Sequence, residues 1–219
     1  MRTKIVFLTA SFLFATSAVQ AQAPAATGFY GGLGMGSARA RLDNSDFTFA
    51  SPFISESQNN SDTGYKFFGG YRINRYIGAE LSYTDFGKFS YDYDLSSVGL
   101  GTARVGYKAN SWALSALGTF PVAGGFSLLG RLGVTSNSAK RSAIEGDAPT
   151  ANLLSPFPAA KSRKTSALWG VGGQFDFTPV VGLRLEFENY GKFGAANPGV
   201  TETGRATIRM TSVSLIAHF

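Results

Sequence analysis

Hydrophobic and polar residues alternate along most of this chain with a period of two residues. In the C-terminal stretch, 205–219, one alternating side is apolar and ends in the aromatic Phe219, whereas the other side is small or polar apart from Ile216. Successive side chains of a β-strand point to opposite faces of the sheet. The pattern therefore predicts a terminal strand with one apolar face, which a soluble domain would rarely leave exposed.

Eight segments with this alternation follow one another after residue 27. The predicted strands are 28–38, 63–73, 76–87, 105–120, 125–136, 165–177, 182–191 and 206–219. Short connections alternate with long ones, the short ones at 74–75, 121–124 and 178–181 and the long ones at 39–62, 88–104, 137–164 and 192–205. This order is typical of outer-membrane barrels that keep their short turns in the periplasm. The predicted fold class is all-β, an eight-stranded antiparallel up-and-down transmembrane β-barrel.

The apolar sides of these strands are assigned to lipid and the polar sides to the lumen; a secreted soluble barrel, with the apolar set inside, is an alternative. The lumen would then hold four cations and four carboxylates: Lys66, Arg72, Arg131 and Arg184 with Glu80, Asp176, Glu186 and Glu188. An eight-stranded barrel is just wide enough for side chains to fill it, and a charge there is costly unless it is paired. We expect a salt-bridged plug, with a small or gated pore as the alternative.

Aromatic residues recur at a spacing that matches the thickness of a membrane. Trp112 lies eight residues before Phe120, and Trp169 lies eight residues before Phe177. Eight residues of a strand tilted by about 40° rise roughly 20 Å, close to the apolar band of about 25 Å between aromatic girdles. We expect Phe120, Phe177 and Phe219 at the periplasmic girdle and the two tryptophans towards the outer one; a coincidence of spacing is the alternative.

The N-terminus has the three parts of a secretory signal peptide. Arg2 and Lys4 precede an apolar segment at 5–15, and Val-Gln-Ala at 19–21 is a small-residue cleavage site. The predicted organisation is a signal peptide at 1–21, a leader at 22–27 and an outer-membrane β-barrel at 28–219. The predicted localisation is the cell outer membrane.

Composition argues against an enzyme, a metal protein or a helical membrane protein. The chain has no cysteine and one histidine, His218, at the periplasmic end of its strand, so neither Ser-His chemistry nor a thiolate metal site is expected. The segment 109–130 has no charge, but Pro121 and its alternation favour two strands over a membrane helix. We expect no cofactor. The net charge of +6 is no argument for nucleic acid, because an exported protein meets lipid and host surfaces first.

A second set of charges lies outside the lumen, above the upper girdle. Arg104 and Lys108 precede Trp112, and Arg205 and Arg209 occupy the start of the last strand. Further cations at the base of the third long connection are Lys140, Arg141, Lys161, Arg163 and Lys164. Basic side chains pair with phosphate groups, so this belt is predicted to contact lipopolysaccharide. Ordinary solvated loop charge is the alternative.

Three stretches of the chain resemble the OmpA-like transmembrane β-barrel family. They are DTGYKFFGGYRINRYIGAELSYTDFGK (62–88), FSLLGRLGVT (126–135) and GVGGQFDFTPVVGLRLEFE (170–188). The family's interior Glu and Arg pair fall on positions that resemble Glu80 and Arg184, whereas its interior Lys and second Glu fall on Leu117 and Gln174. An inherited charge-swap gate is therefore not expected.

The resemblance also carries expectations about function. It implies a barrel-only member without a peptidoglycan-binding domain, which contributes to envelope integrity and surface interactions through four extracellular loops. Host or phage ligands at loops, such as 51–62 and 149–158, and the barrel-assembly machinery at the C-terminal strand are the expected partners. A small porin or solute channel of the outer membrane is the alternative function.

Overall fold

The computed structural model describes residues 27–42, 55–59, 61–94, 102–141, 145–146, 160–194 and 205–219. The predicted signal peptide at 1–21 and all of the leader except Thr27 lie outside the described residues, as does the loop stretch 149–158. No helix among the described residues is long and apolar enough to cross a membrane.

The described chain consists of antiparallel strands. They are β1 (Gly28–Leu42), β2 (Ser55–Asn59), β3 (Ser61–Arg72), β4 (Ile77–Asp94), β5 (Thr102–Ala123), β6 (Phe126–Arg141), β7 (Glu145–Gly146), β8 (Ala160–Asp176), β9 (Val181–Phe193) and β10 (Ala206–His218). The two short strands, β2 and β7, pair only with β4 and β5. The eight long strands pair each with the next along the chain, and β1 pairs with β10, so the sheet closes. The predicted eight-stranded up-and-down barrel is confirmed.

Several strands run further than predicted on the side of the long connections, here called the outer end. β4 continues to Asp94, β5 begins at Thr102, and β6 continues to Arg141. At the inner end, which carries the short turns, the structure differs from the prediction at one connection. The connection predicted at 121–124 is shorter than expected and lies later in the chain, because Pro121 lies in β5 opposite Ser127. The turn is made by Gly124 and Gly125, whose φ angles of 55° and 82° suit a tight hairpin, and the proline is tolerated beside a bulge.

The segment 109–130, considered above as a membrane helix, forms parts of β5 and β6. Between residues 111 and 134 of these strands exposed and buried positions largely alternate, and the exposed ones are apolar. All five residues of the predicted aromatic girdle are exposed on the outer face: Trp112, Phe120, Trp169, Phe177 and Phe219. Side chains on this face also contact each other across strands, as Tyr83 and Trp112 do at 5.1 Å between ring centroids.

The lumen is not polar throughout. Its outer half contains a cluster of buried apolar side chains, here called the apolar cap: Ala38, Ala40, Phe86, Phe89, Ala109, Ala113, Leu168, Tyr190, Phe193, Ile208 and Met210. Phe86 packs edge-on against Tyr190 and Phe193, with ring centroids 4.8 and 5.4 Å apart. The expectation of a polar interior is therefore correct only in part, because in the outer half these apolar side chains lie beside buried polar ones such as Asn137 and Arg141.

Candidate functional site: the charged lumen

Six buried ionic side chains meet in the middle of the lumen and form what we call the central network. Their strands are β3, β4, β6 and β9, and the residues are Lys66, Glu80, Arg131, Arg184, Glu186 and Glu188. Because inward-facing positions recur at every second residue of a strand, β9 alone supplies three of the six charged residues. Three cations face three carboxylates, so the network is neutral by formal charge.

The carboxylate of Glu80 links the two guanidinium groups. Its Oε1 accepts from Arg131 Nη2 at 2.5 Å, and its Oε2 accepts from Arg184 Nη1 at 2.7 Å. Arg131 Nη2 also donates to Glu186 Oε1 at 2.9 Å. On the other side of Glu186, Lys66 Nζ donates to Oε2 at 2.9 Å. The chain of pairs thus runs without a break across the lumen.

Neutral groups satisfy several of the remaining donors and acceptors of the network, whereas Arg131 Nε is buried without a hydrogen-bond partner among the described residues. Tyr30 Oη donates to Glu80 Oε2 at 3.1 Å. The side-chain oxygen of Gln174 accepts from Arg184 Nε and Nη2 at 3.2 and 3.1 Å. Phe68 lies beneath the cations, with its ring centroid 5.0 Å from the guanidinium carbon of Arg184. A buried ion pair is tolerated when such additional hydrogen bonds are present.

Tyr190 connects the central network to the apolar cap. Its hydroxyl donates to Glu188 Oε2 at 3.1 Å and lies 3.0 Å from the Thr84 hydroxyl, while its ring packs on Phe86. Glu188 is also held by Lys66 at 2.9 Å. The ionic layer and the apolar layer are therefore coupled through one fully buried side chain.

Asp176 and Arg72, both expected in the lumen network, lie below it at the inner end. Asp176 Oδ1 is 3.0 Å from His218 Nε2 and accepts from Gln174 Nε2 at 2.8 Å. Arg72 and His218 line a small cavity of about 150 Å³ at the inner mouth of the barrel. The structure thus brings six of the eight predicted lumen charges together and places the other two in a separate layer.

The positions identified through the family resemblance, Glu80 and Arg184, do pair in the structure. Leu117 and Gln174 carry no charge, but alternative partners for Glu80 and Arg184 come from other positions, on β6 and β9. Arg131 offers Glu80 a second guanidinium, and Glu186 lies 4.0 Å from Arg184 Nη1. Sequence reasoning did not find Tyr30 or Tyr190. Tyr190 lies two residues after Glu188 on the inward side of β9, which was an available signal, whereas Tyr30 has no charged residue on its side of β1.

The predicted outer cations have different environments. Lys108 and Arg209 are exposed on the outer face, and Arg205 is half-buried and interacts with another group. Arg104 lies in β5 opposite Glu145, and its side chain is outside the described residues. Arg141, expected outside with Lys140, is instead buried, because its position in β6 faces the lumen.

Like charges lie directly opposite one another on the outer face at the outer end. One row runs from Lys88 to Lys108, Lys140 and Lys161, across β4, β5, β6 and β8. A separate pair, Arg39 and Arg209, lies across β1 and β10. Like charges in such positions destabilise a sheet.

The fold agrees with comparisons to known proteins. The OmpA-like transmembrane domain matches residues 24–219. Outer membrane protein A of Salmonella typhi is 27% identical over 131 residues, which are 59% of this chain and 33% of that protein. The aligned part of this chain thus spans only a third of that relative's length.

Solved structures show the same fold. Neisserial surface protein A has a TM-score of 0.52 at 18% identity, with 89% of this chain and 99% of that chain covered. OprG from Pseudomonas aeruginosa has a TM-score of 0.52 at 14% identity, with 91% of this chain and 98% of that chain covered. Since the family match includes all eight strands, the chain belongs to the OmpA-like transmembrane domain family and is a β-barrel of the cell outer membrane.

Proposed function

We propose that this protein is a structural barrel that supports the outer membrane and presents its four long connections at the cell surface, with a lumen that does not conduct ions freely. The supporting observation is the central network, in which six buried charges from four strands pair with one another. Separating these pairs would leave uncompensated charges in a narrow lumen, which is strongly unfavourable. The network therefore favours a closed plug.

The apolar cap adds a second barrier above the plug. Hydrophobic constrictions exclude water and ions by dewetting, and the cap places Phe86, Phe193 and Met210 fully inside the barrel. An ion would have to pass this layer before it reached Lys66 or Glu188. Two barriers in series favour a structural role over transport.

Conductance tests this proposal. In planar bilayers, we expect the wild-type protein to give no large, stable channels. The Glu80→Ala/Arg184→Ala variant removes one neutral pair from the network and should raise ion leakage, provided that the barrel still folds by heat-modifiable gel mobility. Asp85→Asn changes an exposed carboxylate outside the network and serves as the matched control. Large, stable openings of the wild-type protein would contradict the plug.

A small solute channel is the second candidate, and one observation favours it. The hydroxyls of Ser82, Ser212 and Ser214 are buried and make no hydrogen bond to the described protein groups. They provide free polar positions beside the network that a passing water molecule could use. Liposome swelling in small sugars separates the two functions, because only a channel would give size-dependent swelling.

The outer cations are proposed to contact lipopolysaccharide. Arg104, Lys108, Arg205 and Arg209 all lie near the outer end, and basic residues close to an anionic membrane surface contribute about 1 kcal/mol each. We expect Arg205→Ala/Arg209→Ala to slow folding into bilayers that contain lipopolysaccharide but not into neutral bilayers. Unchanged folding in both would remove the support for this contact.

Other partners are proposed for the two ends of the strands. β10 ends beside Phe219, whose side chain is 81% exposed, and we propose that the barrel-assembly machinery recognises this strand. Host or phage ligands would bind the long connections. We assign no catalytic function: His218, the chain's single histidine, is paired with Asp176 at the inner end, far from the surface where such ligands bind.

A further inference from the structure

We propose that the seam between the first and last strands carries a binding site for a phosphate group of an outer-leaflet glycolipid, centred on Arg39 and Arg209. The two residues lie directly opposite each other in the β1–β10 ladder, and both are exposed on the outer face. Residues in such a pair have Cβ atoms about 4.5–5.5 Å apart. This inference rests on the proposed glycolipid contact and gives it a defined position.

The arginine pair has no balancing charge in the part of the chain that the structure describes. Neither guanidinium takes part in an ion pair or hydrogen bond with a described residue. Two like charges directly opposite each other weaken the pairing of their strands. A shared phosphate would reverse the sign of this interaction, since each guanidinium can bind phosphate oxygens through two parallel N–H groups.

Neutral hydrogen-bonding groups surround the pair on the same face. In the same row, Ser61 lies beside Arg39, and Asn189 lies beside Arg209. Asn189 Oδ1 already accepts from Gly191 N at 2.9 Å, which leaves its amide nitrogen to donate. The next row on this face, two residues closer to the inner end, contains three exposed hydroxyls: Thr211, Ser37 and Thr63. The patch thus offers donors on four adjacent strands, and none of these residues is acidic.

The height of the pair matches the position of lipid phosphates. Arg209 lies ten residues before Phe219 along β10. Ten residues at about 3.3 Å each, tilted by about 40°, rise roughly 25 Å, which equals the usual apolar band of such barrels. Arg39 shares the row of Arg209, and Arg41 lies two residues further out on the same face. Both arginines of the pair therefore lie where the hydrocarbon ends and phosphate groups begin.

The position on the seam distinguishes this site from the lysine row at Lys88, Lys108, Lys140 and Lys161. Those lysines lie on strands that are neighbours in sequence and are joined by hairpins or loops. β1 and β10 are joined only by the ladder that closes the barrel. A phosphate bound across Arg39 and Arg209 would therefore hold the closure itself, so that the glycolipid stabilises the closed barrel.

The test uses the purified full-length protein in a non-ionic detergent and three probes: a diphosphorylated glycolipid, the same glycolipid without phosphates, and inorganic phosphate. Native mass spectrometry gives the dissociation constant, and heat-modifiable gel mobility gives the unfolding temperature. Arg39→Gln/Arg209→Gln removes the site. The comparison variant, Lys88→Gln/Lys108→Gln, removes an opposed pair of like charges from the lysine row and reports on the broader belt of cations away from the seam.

We expect the wild-type protein to bind the phosphorylated glycolipid best and to unfold at a higher temperature with it. The arginine variant should bind it about tenfold more weakly or worse, because charge-assisted contacts are lost. Without glycolipid, this variant should be at least as stable as the wild type, because the repulsion is gone. Arg39→Lys/Arg209→Lys keeps both positive charges but lacks the paired N–H donors of guanidinium. Its affinity should fall between that of the wild type and that of Arg39→Gln/Arg209→Gln.

The outcomes separate the seam site from the broader contact. If Lys88→Gln/Lys108→Gln loses affinity and Arg39→Gln/Arg209→Gln does not, the contact with the broader belt of cations remains and the seam site is wrong. Equal stabilisation by the dephosphorylated glycolipid or by free phosphate also overturns the seam site. If the wild type does not bind the phosphorylated glycolipid at all, the proposed lipopolysaccharide contact fails with it.

Discussion

The replacement of Glu80 by glutamine is the sharpest test of the central network. Glu80 is buried, and its two oxygens accept from Arg131 at 2.5 Å, from Arg184 at 2.7 Å and from the Tyr30 hydroxyl at 3.1 Å. The isosteric amide keeps one acceptor oxygen but turns an N–H donor towards a guanidinium donor. It also changes the network from neutral to a formal charge of +1.

The size of the effect follows from the burial of these groups. Removing one partner of a buried pair costs about 3–5 kcal/mol, because the other charge stays in the lumen without compensation. In the double variant Glu80→Gln/Arg184→Gln, two cations again face two carboxylates. The double variant should therefore be less destabilised than the sum of the single variants, with a coupling of about 0.5–3 kcal/mol.

The assay is urea unfolding in lipid vesicles, followed by the fluorescence of Trp112 and Trp169, both of which lie on the lipid-facing side. Asp85→Asn is the matched control: this exposed carboxylate accepts from Gly87 N at 2.9 Å, and an amide oxygen can still do so. The control should change the free energy of unfolding by less than about 1 kcal/mol. A similarly small change for Glu80→Gln would show that the charges of the lumen are not tightly coupled.

Three further changes test other layers of the barrel. Tyr190→Phe removes two hydrogen bonds of a fully buried hydroxyl and should lower the free energy of unfolding by about 1–3 kcal/mol in the same urea assay. Gly36→Val should block folding, because a Cβ at this position overlaps the Thr211 carbonyl oxygen. The readout is loss of the heat-modifiable gel band. The control Gly130→Val has open space around the added side chain and should fold. Leu185→Arg, at a lipid-facing position that is 58% exposed, should cost about 2–4 kcal/mol in vesicles; no loss there would contradict the assignment of this face to lipid.

The strands and their two faces were predictable because both follow from local alternation. A residue such as Glu186 is assigned to the lumen once its neighbours Leu185 and Phe187 are seen to be apolar. No partner needs to be known for that step. The same local rule fails at the ends of strands, as at Pro121, where the turn depends on which residues can adopt a positive φ.

The pairing within the network was not predictable, because it depends on register and on the way the strands close. Lys66 and Glu188 are 122 residues apart in sequence, and they meet only across the lumen. Whether Asp176 joins the network or lies beneath it depends on the shear of the barrel, which links strand tilt to the stagger of neighbouring strands. The apolar cap was missed for another reason: an apolar residue can face lipid or face other apolar side chains, and alternation alone does not separate these cases at the strand ends.

The glycines of β1 explain how so many large side chains fit in one lumen. Gly32, Gly34 and Gly36 occupy every second position on the inward side of that strand. In the structure a Cβ at Gly32 would collide with the ring of Phe68, and one at Gly34 would collide with the side chain of Ser214. Phe68 in turn supports the cations of the central network. The lack of side chains on the inward side of β1 is therefore a condition for the central network: a larger residue at Gly32 would displace the Phe68 ring from Arg184 before it touched any charge.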